Sequence, residues 1–171
     1  INNFLGSNLS NKFFFQGSTH FLLVLSFQEL TLALYEKLSS ALQVKVLGVE
    51  MDSTLVQRCK KANQHPENIT YEQADLMCEH DRTRVVQNYL HDQGIERFHL
   101  VCCFSVTMWI HLNYGDEPFK EFLQYTAKVS QNLLLEPQPW KCYRNAVRRM
   151  KRGGCGTFEC FKKLLWRTDV D

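Results

Sequence analysis

Two segments of this 171-residue chain gather side chains that could do chemistry. The first, SVTMWIHLNYGDEPF at 105–119, brings Trp109, His111, Asn113, Tyr114 and Asp116 together. Aromatic rings interleaved with polar groups suit stacking on a base or enclosing a substrate. Met108, Trp109, Ile110 and Leu112 could instead form one apolar helical turn with His111 on its exposed side, a hydrogen-bonded histidine and no proton shuttle. The second, EPQPWKCYR at 136–144, sets prolines on either side of Gln138. They fix the backbone so that Glu136 and Gln138 project at defined angles. Lys141, Arg144 and Arg148 follow, the last two four apart and on one face if a helix continues. Such cations hold a phosphate by charge-assisted bonds. A proline-bounded turn entering an exposed basic helix would look the same.

Two isolated carboxylates join them. Glu50 closes an apolar run, where a carboxylate can accept from both ribose hydroxyls; capping of the next helix with Asp52 and Ser53 is the plainer alternative. Asp75 closes the following run and could accept from an adenine amino group or cap a helix.

These residues sit at the ends of regularly repeated elements. Apolar runs of strand length occur at 21–25, 44–49, 69–74, 98–104 and 132–136. Between them apolar residues recur at helical spacing: Leu30, Ala33, Leu34, Leu38, Ala41 and Leu42; then Leu55, Val56 and Cys59; then Val85, Val86, Tyr89 and Leu90; then Phe119, Phe122, Leu123, Thr126 and Val129, with Pro118 near a helix start. Alternating strands and helices predict a parallel sheet covered on both faces, with ligands at the carboxyl ends of the strands. Residues 1–20 lack any such pattern and read as a stretch outside the domain, which is expected over 21–171.

Composition narrows the class. At 44% hydrophobic and 22% charged residues, with 8 Gly and 4 Pro, the chain is an ordinary globular domain. No apolar run reaches the roughly 20 residues of a membrane helix. Seven Cys without a C-x-x-C pair, two of them adjacent at Cys102 and Cys103, argue for buried thiols over disulfides or zinc. The net charge of +2 divides unevenly: residues 141–171 carry nine basic and three acidic side chains, and the first 140 carry −4. A basic end on an acidic domain suits a phosphate-bearing partner.

FSVTMWIHLNYGD (104–116) followed by LLLEPQPWKCYR (133–144) resembles the bicoid-interacting family of RNA methyltransferases, which includes the methylphosphate capping enzyme. WKCYR and the Arg-rich helix after it look most like the branch that methylates RNA 5′-monophosphates. The resemblance runs from about Glu29 to the end of the chain. It implies a class I, Rossmann-like methyltransferase fold, S-adenosylmethionine as cofactor, and methyl transfer to an oxygen of the RNA 5′-phosphate. By position it implies Glu50, Asp75 and Ser105 at the cofactor, and Trp109, His111, Asn113, Glu136, Gln138, Trp140, Tyr143 and Arg144 at the RNA end, beside Lys141 and Arg148. His111, Asn113, Glu136 and Gln138 are the candidate catalytic groups. No metal is required, because the phosphate oxygen is already nucleophilic and needs alignment. The implied partner is the 5′ end of RNA of the tRNA or small-RNA-precursor class, with neither DNA nor membrane; the cytoplasm is the default compartment, the nucleus its alternative.

Two departures qualify that expectation. Relatives carry a loop after the first strand reading approximately L-D-x-G-C-N-x-G-x-L. Counting back from Leu30 puts Leu22, Val24, Ser26 and Gln28 where they have the acid, first glycine, asparagine and second glycine. Loss of that loop would leave a non-catalytic RNA-binding relative; a small-molecule O-methyltransferase is the weaker alternative. The chain also stops at Asp171, before the antiparallel strands that such folds normally add, which predicts an uncovered sheet edge and self-association.

Overall fold

The computed structural model describes residues 18–25, 28–154 and 156–166. The strands are β1 (Thr19–Leu25), β2 (Gln43–Glu50), β3 (Ile69–Gln73), β4 (Leu100–Cys103) and β5 (Leu133–Leu135). They form one sheet of order β3-β2-β1-β4-β5 in which every neighbouring pair is parallel. β1 begins two residues before the expected apolar run; the unpatterned stretch before residue 18 lies outside the described residues.

The helices are α1 (Gln28–Ser39), α2 (Ser53–Ala62), α3 (Glu79–Asp81, the π-helical Arg82–Gln87 and Asn88–Asp92 in succession), α4 (Thr107–Tyr114), α5 (Asp116–Lys128) and α6 (Trp140–Arg152). The period-two alternation of a strand sorts side chains to opposite faces. Leu22 and Val24 of β1, Val44 and Val46 of β2 and Leu100 and Cys102 of β4 pack against Leu34, Tyr35 and Leu38 of α1 and Val56 and Cys59 of α2. Leu23, Leu25, Leu47, Val49, Val101 and Cys103 pack on the other face against Val85, Val86 and Leu90 of α3 and Phe122 of α5. Helices on both sheet faces and this strand order make an α/β, Rossmann-like sheet, consistent with the expected class I methyltransferase fold. Cys102 and Cys103 are fully buried, and burial raises both thiols, Cys103 to about 12. They serve as small core hydrophobes.

Gly48 shows how close the layers come. A Cβ there would lie 2.7 Å from Cδ1 of Tyr71, its neighbour across the β2–β3 pair, so the ring packs where a side chain would stand.

A third cluster lies off the sheet. Met108 and Leu112 of α4 meet Tyr143, Ala146 and Val147 of α6 and Leu164. It ties α6 and the segment after it to α4. β5 is the outer strand among the described residues, and its three leucines are partly buried.

Candidate functional site

The chain order departs from β1 in both directions, to β2 and β3 on one side and to β4 and β5 on the other. The crevice at the carboxyl ends therefore opens at the switch point, where doubly wound sheets bind ligands. A cavity of about 220 Å³ occupies it. Leu25 from the end of β1, Glu50 from β2, Asp75 from after β3 and Ser105 from after β4 all line it, with Met51, Trp109, Asn113 and Tyr114 at its margin. The three residues expected at the cofactor thus share one space.

Helix capping does not employ Glu50. Asp52 caps α2, its Oδ1 accepting from the backbone N–H groups of Thr54 and Leu55. Glu50 Oε1 instead accepts from Met51 N–H at 2.7 Å and Asp52 N–H at 3.1 Å, bracing the turn. Oε2 makes no hydrogen bond among the described residues, so it can accept from a diol. Asp75 is engaged at both oxygens: Oδ1 accepts from Met77 N–H and Oδ2 from the Tyr114 hydroxyl at 3.1 Å. Burial, then the Asp75 charge, raises the Tyr114 phenol above its ordinary range and keeps it a donor. Leu25, Val49, Ala74, Leu76, Val106, Ile110 and Phe122 give the cavity apolar walls. Apolar walls and a carboxylate with an open oxygen fit the nucleoside half of S-adenosylmethionine.

The β1–α1 connection is two residues, 26 and 27, and lies outside the described residues, as does Ser26 of the counted-back loop. Leu22 and Val24, which take the places of the acid and first glycine in that count, are fully buried residues within β1. Positions that form loop in the family pattern are strand here.

Ser105 stands at the junction of the site. It has φ +58°, a left-handed conformation in which the backbone turns sharply between β4 and α4. Its hydroxyl donates to Glu136 Oε2 at 2.9 Å, joining the ends of β4 and β5. A further cavity is lined by Ser105, Met108, Trp109, Gln138, Cys142, Asn145 and Arg149. It shares Ser105 and Trp109 with the first.

His111 differs from the exposed-face alternative. It is 2% exposed, whereas Trp109 is 36% exposed, so the helix turns the indole outward and the imidazole inward. Nε2 lies 2.7 Å from Asp116 Oδ1, a carboxylate oxygen that can only accept, so Nε2–H donates to it, and in that tautomer Nδ1 accepts from the Tyr143 hydroxyl at 3.1 Å. Burial, then the Asp116 charge, pushes the Tyr143 phenol up to about 12. Asp116 also accepts from the backbone N–H groups of Leu165 and Trp166. Burial opposes its ionisation, yet those bonds and His111 outweigh it and hold the carboxyl below its ordinary range. Gly115 makes the corner between α4 and α5 at φ +87°, the positive value glycine favours, and puts Asp116 at the start of α5. With both ring nitrogens engaged, His111 ties α4, which carries Trp109 and Asn113, to Tyr143 of α6 and to Asp116 at the start of α5.

The remaining candidates divide. Trp140, Tyr143, Gln138 and His111 line a second cavity with Phe119 and Trp166. Trp140 stacks on Tyr143 and Phe161, 5.0 and 5.1 Å between centroids, as an internal brace. Asn113 donates to Trp109 O and borders the first cavity. Lys141, Arg144 and Arg148 are exposed and line none of these three cavities. Arg144 and Arg148 do share a face of α6, but Arg149 is the residue that reaches the Ser105–Trp109 cavity. The one signal for this in the sequence is the spacing of 142, 145 and 149 beside the buried 143, 146 and 147.

Residues 98–169 match the family model of Bicoid-interacting protein 3 (Bin3). The pre-miRNA 5′-monophosphate methyltransferase of Danio rerio is 40% identical over 151 residues, 83% of this chain and 59% of that protein. The chain is similar to the bicoid-interacting family across both of the motifs that frame the site. The RNA 5′-monophosphate methyltransferase of Mus musculus is 39% identical over 128 residues, 75% of this chain and 45% of its own. The 7SK snRNA methylphosphate capping enzyme of Mus musculus is 32% identical over 81 residues, 46% of this chain and 11% of that one. The chain therefore spans about half the length of the 5′-monophosphate methyltransferases it matches. Its family-model match covers the two motifs that frame the Ser105–Glu136 junction.

Proposed function

We propose that the chain is the cofactor-binding and RNA-end-binding part of an S-adenosylmethionine-dependent methyltransferase acting on an oxygen of an RNA 5′-monophosphate, in the tRNA or small-RNA-precursor class. The observation that carries this is the pair of cavities meeting at Ser105 and Trp109, one lined by carboxylates and apolar walls, the other by Arg149, Asn145 and Gln138. The names of relatives about 40% identical support an RNA 5′-monophosphate as the substrate.

Bound S-adenosylmethionine supplies an electrophilic methyl group. In this reading Glu50 Oε2 accepts from the ribose hydroxyls and Asp75 faces the adenine edge. The phosphate oxygen carries its own negative charge, so no side chain needs to remove a proton from it. Catalysis is then alignment, which supplies up to about 7–11 kcal/mol when both reactants are held in line. Ser105 and Glu136 hold the strand ends together, Trp109 offers a ring for the first base, and Gln138 donates toward the phosphate. His111 and Tyr143 act by fixing α4 against α6.

Two measurements test the reading: calorimetric titration of S-adenosylhomocysteine into the folded chain, and transfer of labelled methyl groups to 5′-monophosphorylated RNA. Micromolar binding with transfer to that RNA, and none to its 5′-hydroxyl form, is the expected result. Absence of S-adenosylhomocysteine binding by a folded chain would leave an RNA-binding relative in its place.

A further inference from the structure

We propose that Arg149, with Asn145 one helical turn before it, binds the terminal phosphate and gives the chain its preference for a phosphorylated 5′ end. The proposal rests on the function proposed above and assigns its anion subsite. The nucleoside cavity has Glu50 and Asp75 in its lining and neither lysine nor arginine. A phosphate carrying up to two negative charges is repelled there. The reacting oxygen must nevertheless lie beside that cavity, and Ser105 and Trp109 are the residues lining both it and the adjoining one. Of the lysines and arginines among the described residues, Arg149 alone lines any of the three cavities.

The surroundings suit an anion bound beside a base. The Arg149 guanidinium lies 6.0 Å from the centroid of the Trp109 ring, close enough for attraction to its face. It forms no ion pair among the described residues. Asn145 and Gln138 add neutral amide donors on the same wall. An arginine fork with amide donors recognises a terminal phosphate, while the half-exposed indole stacks on the nucleotide that bears it. Lys141, Arg144 and Arg148, on other faces of α6, meet the RNA backbone farther along and add attraction that does not depend on the end.

One short RNA in 5′-monophosphate and 5′-hydroxyl forms serves as the probe, with fluorescence anisotropy at fixed salt reading the ratio of the two affinities. The unaltered chain is expected to prefer the monophosphate about tenfold or more. Arg149→Ala should bring the ratio close to one, Arg149→Lys should restore part of it, and the Arg144→Ala, Arg148→Ala pair should weaken both forms while keeping the ratio. A purely structural role for Arg149 would change affinity for both forms together and overturn the assignment, as would a preserved ratio in Arg149→Ala. An unaltered chain that binds both forms alike would overturn the functional reading and this proposal with it. Preference in the unaltered chain that survives Arg149→Ala removes only Arg149.

Discussion

Replacing Asp116 by alanine isolates the contact that fixes the substrate side of the site. The carboxylate accepts from His111 Nε2–H at 2.7 Å, Leu165 N–H at 2.8 Å and Trp166 N–H at 3.2 Å. The two backbone donors belong to exposed residues and regain water when the carboxylate is removed, so each loss is small. His111 is 2% exposed and cannot. A buried donor stranded in this way costs about 1–3 kcal/mol, toward the upper end for a partner that was charged. The expected loss is therefore about 2–3 kcal/mol, which at a urea slope of about 1–3 kcal/mol per molar moves the midpoint by roughly 1 M. Asp116→Asn, which keeps an acceptor, should lose about half as much. His111→Ala and Asp116→Ala together should cost less than their sum, because both remove the same bond. Urea denaturation followed through tryptophan emission, with Trp166 beside the site, reports the unaltered chain and its four variants. A loss under about 0.5 kcal/mol for Asp116→Ala would refute the argument that this carboxylate holds α4, α5 and the 164–166 segment in register.

Other outcomes follow from the same geometry. Glu50→Gln keeps the backbone-bracing oxygen but loses the charge offered to the ribose, so S-adenosylhomocysteine should bind about 10–100-fold more weakly by calorimetry with the urea midpoint unchanged; an unchanged dissociation constant would remove Glu50 from the cofactor. Gly48→Ala places a methyl group 2.7 Å from the Tyr71 ring and should destabilise by about 1–3 kcal/mol through overpacking, measured by thermal melting. A melt identical to the unaltered chain's would mean the ring yields freely. The Asp116 carboxyl lies below its ordinary value of 3.8 in the folded chain, so its contribution is complete above that value and is lost as pH falls through the lower folded value. Comparing urea midpoints from pH 6 downward, the gap between the unaltered chain and Asp116→Asn should close only below about pH 4; a gap that closes near neutrality would contradict the sign.

Much of this molecule was legible in the residues alone. Strand and helix order followed from the periods of the apolar positions, because burial on both faces of a parallel sheet leaves nearly continuous apolar runs at 44–49 and 98–104. Glu50, Asp75 and Ser105 could be assigned to one end of the sheet for the same reason: each closes or directly follows an apolar run, and parallel strands bring their carboxyl ends together. The first turn resisted such reading. An ungapped count placed loop residues at Leu22 and Val24, which the sheet holds in the interior of β1.

What tertiary structure decided was the direction in which side chains on the short helices face. The spacing of α4 allowed His111 to point outward, and only packing against Tyr143, Asp116 and Phe119 turned it in. On α6 a run of five arginines and lysines from Arg144 to Arg152 satisfies any basic-face argument. Which of them meets the cavity depends on the rotation of the helix about its axis, and that is set by Tyr143, Ala146 and Val147 docking on Met108 and Leu112. Sequence periodicity fixes a helix's apolar face, but the neighbour of each polar face is a contact between residues 30 to 40 positions apart, such as Trp109 with Arg149. The hydrophobic pattern encodes the scaffold; the pairing of Ser105 with Glu136 and of Trp109 with Arg149 exists only once that scaffold is closed.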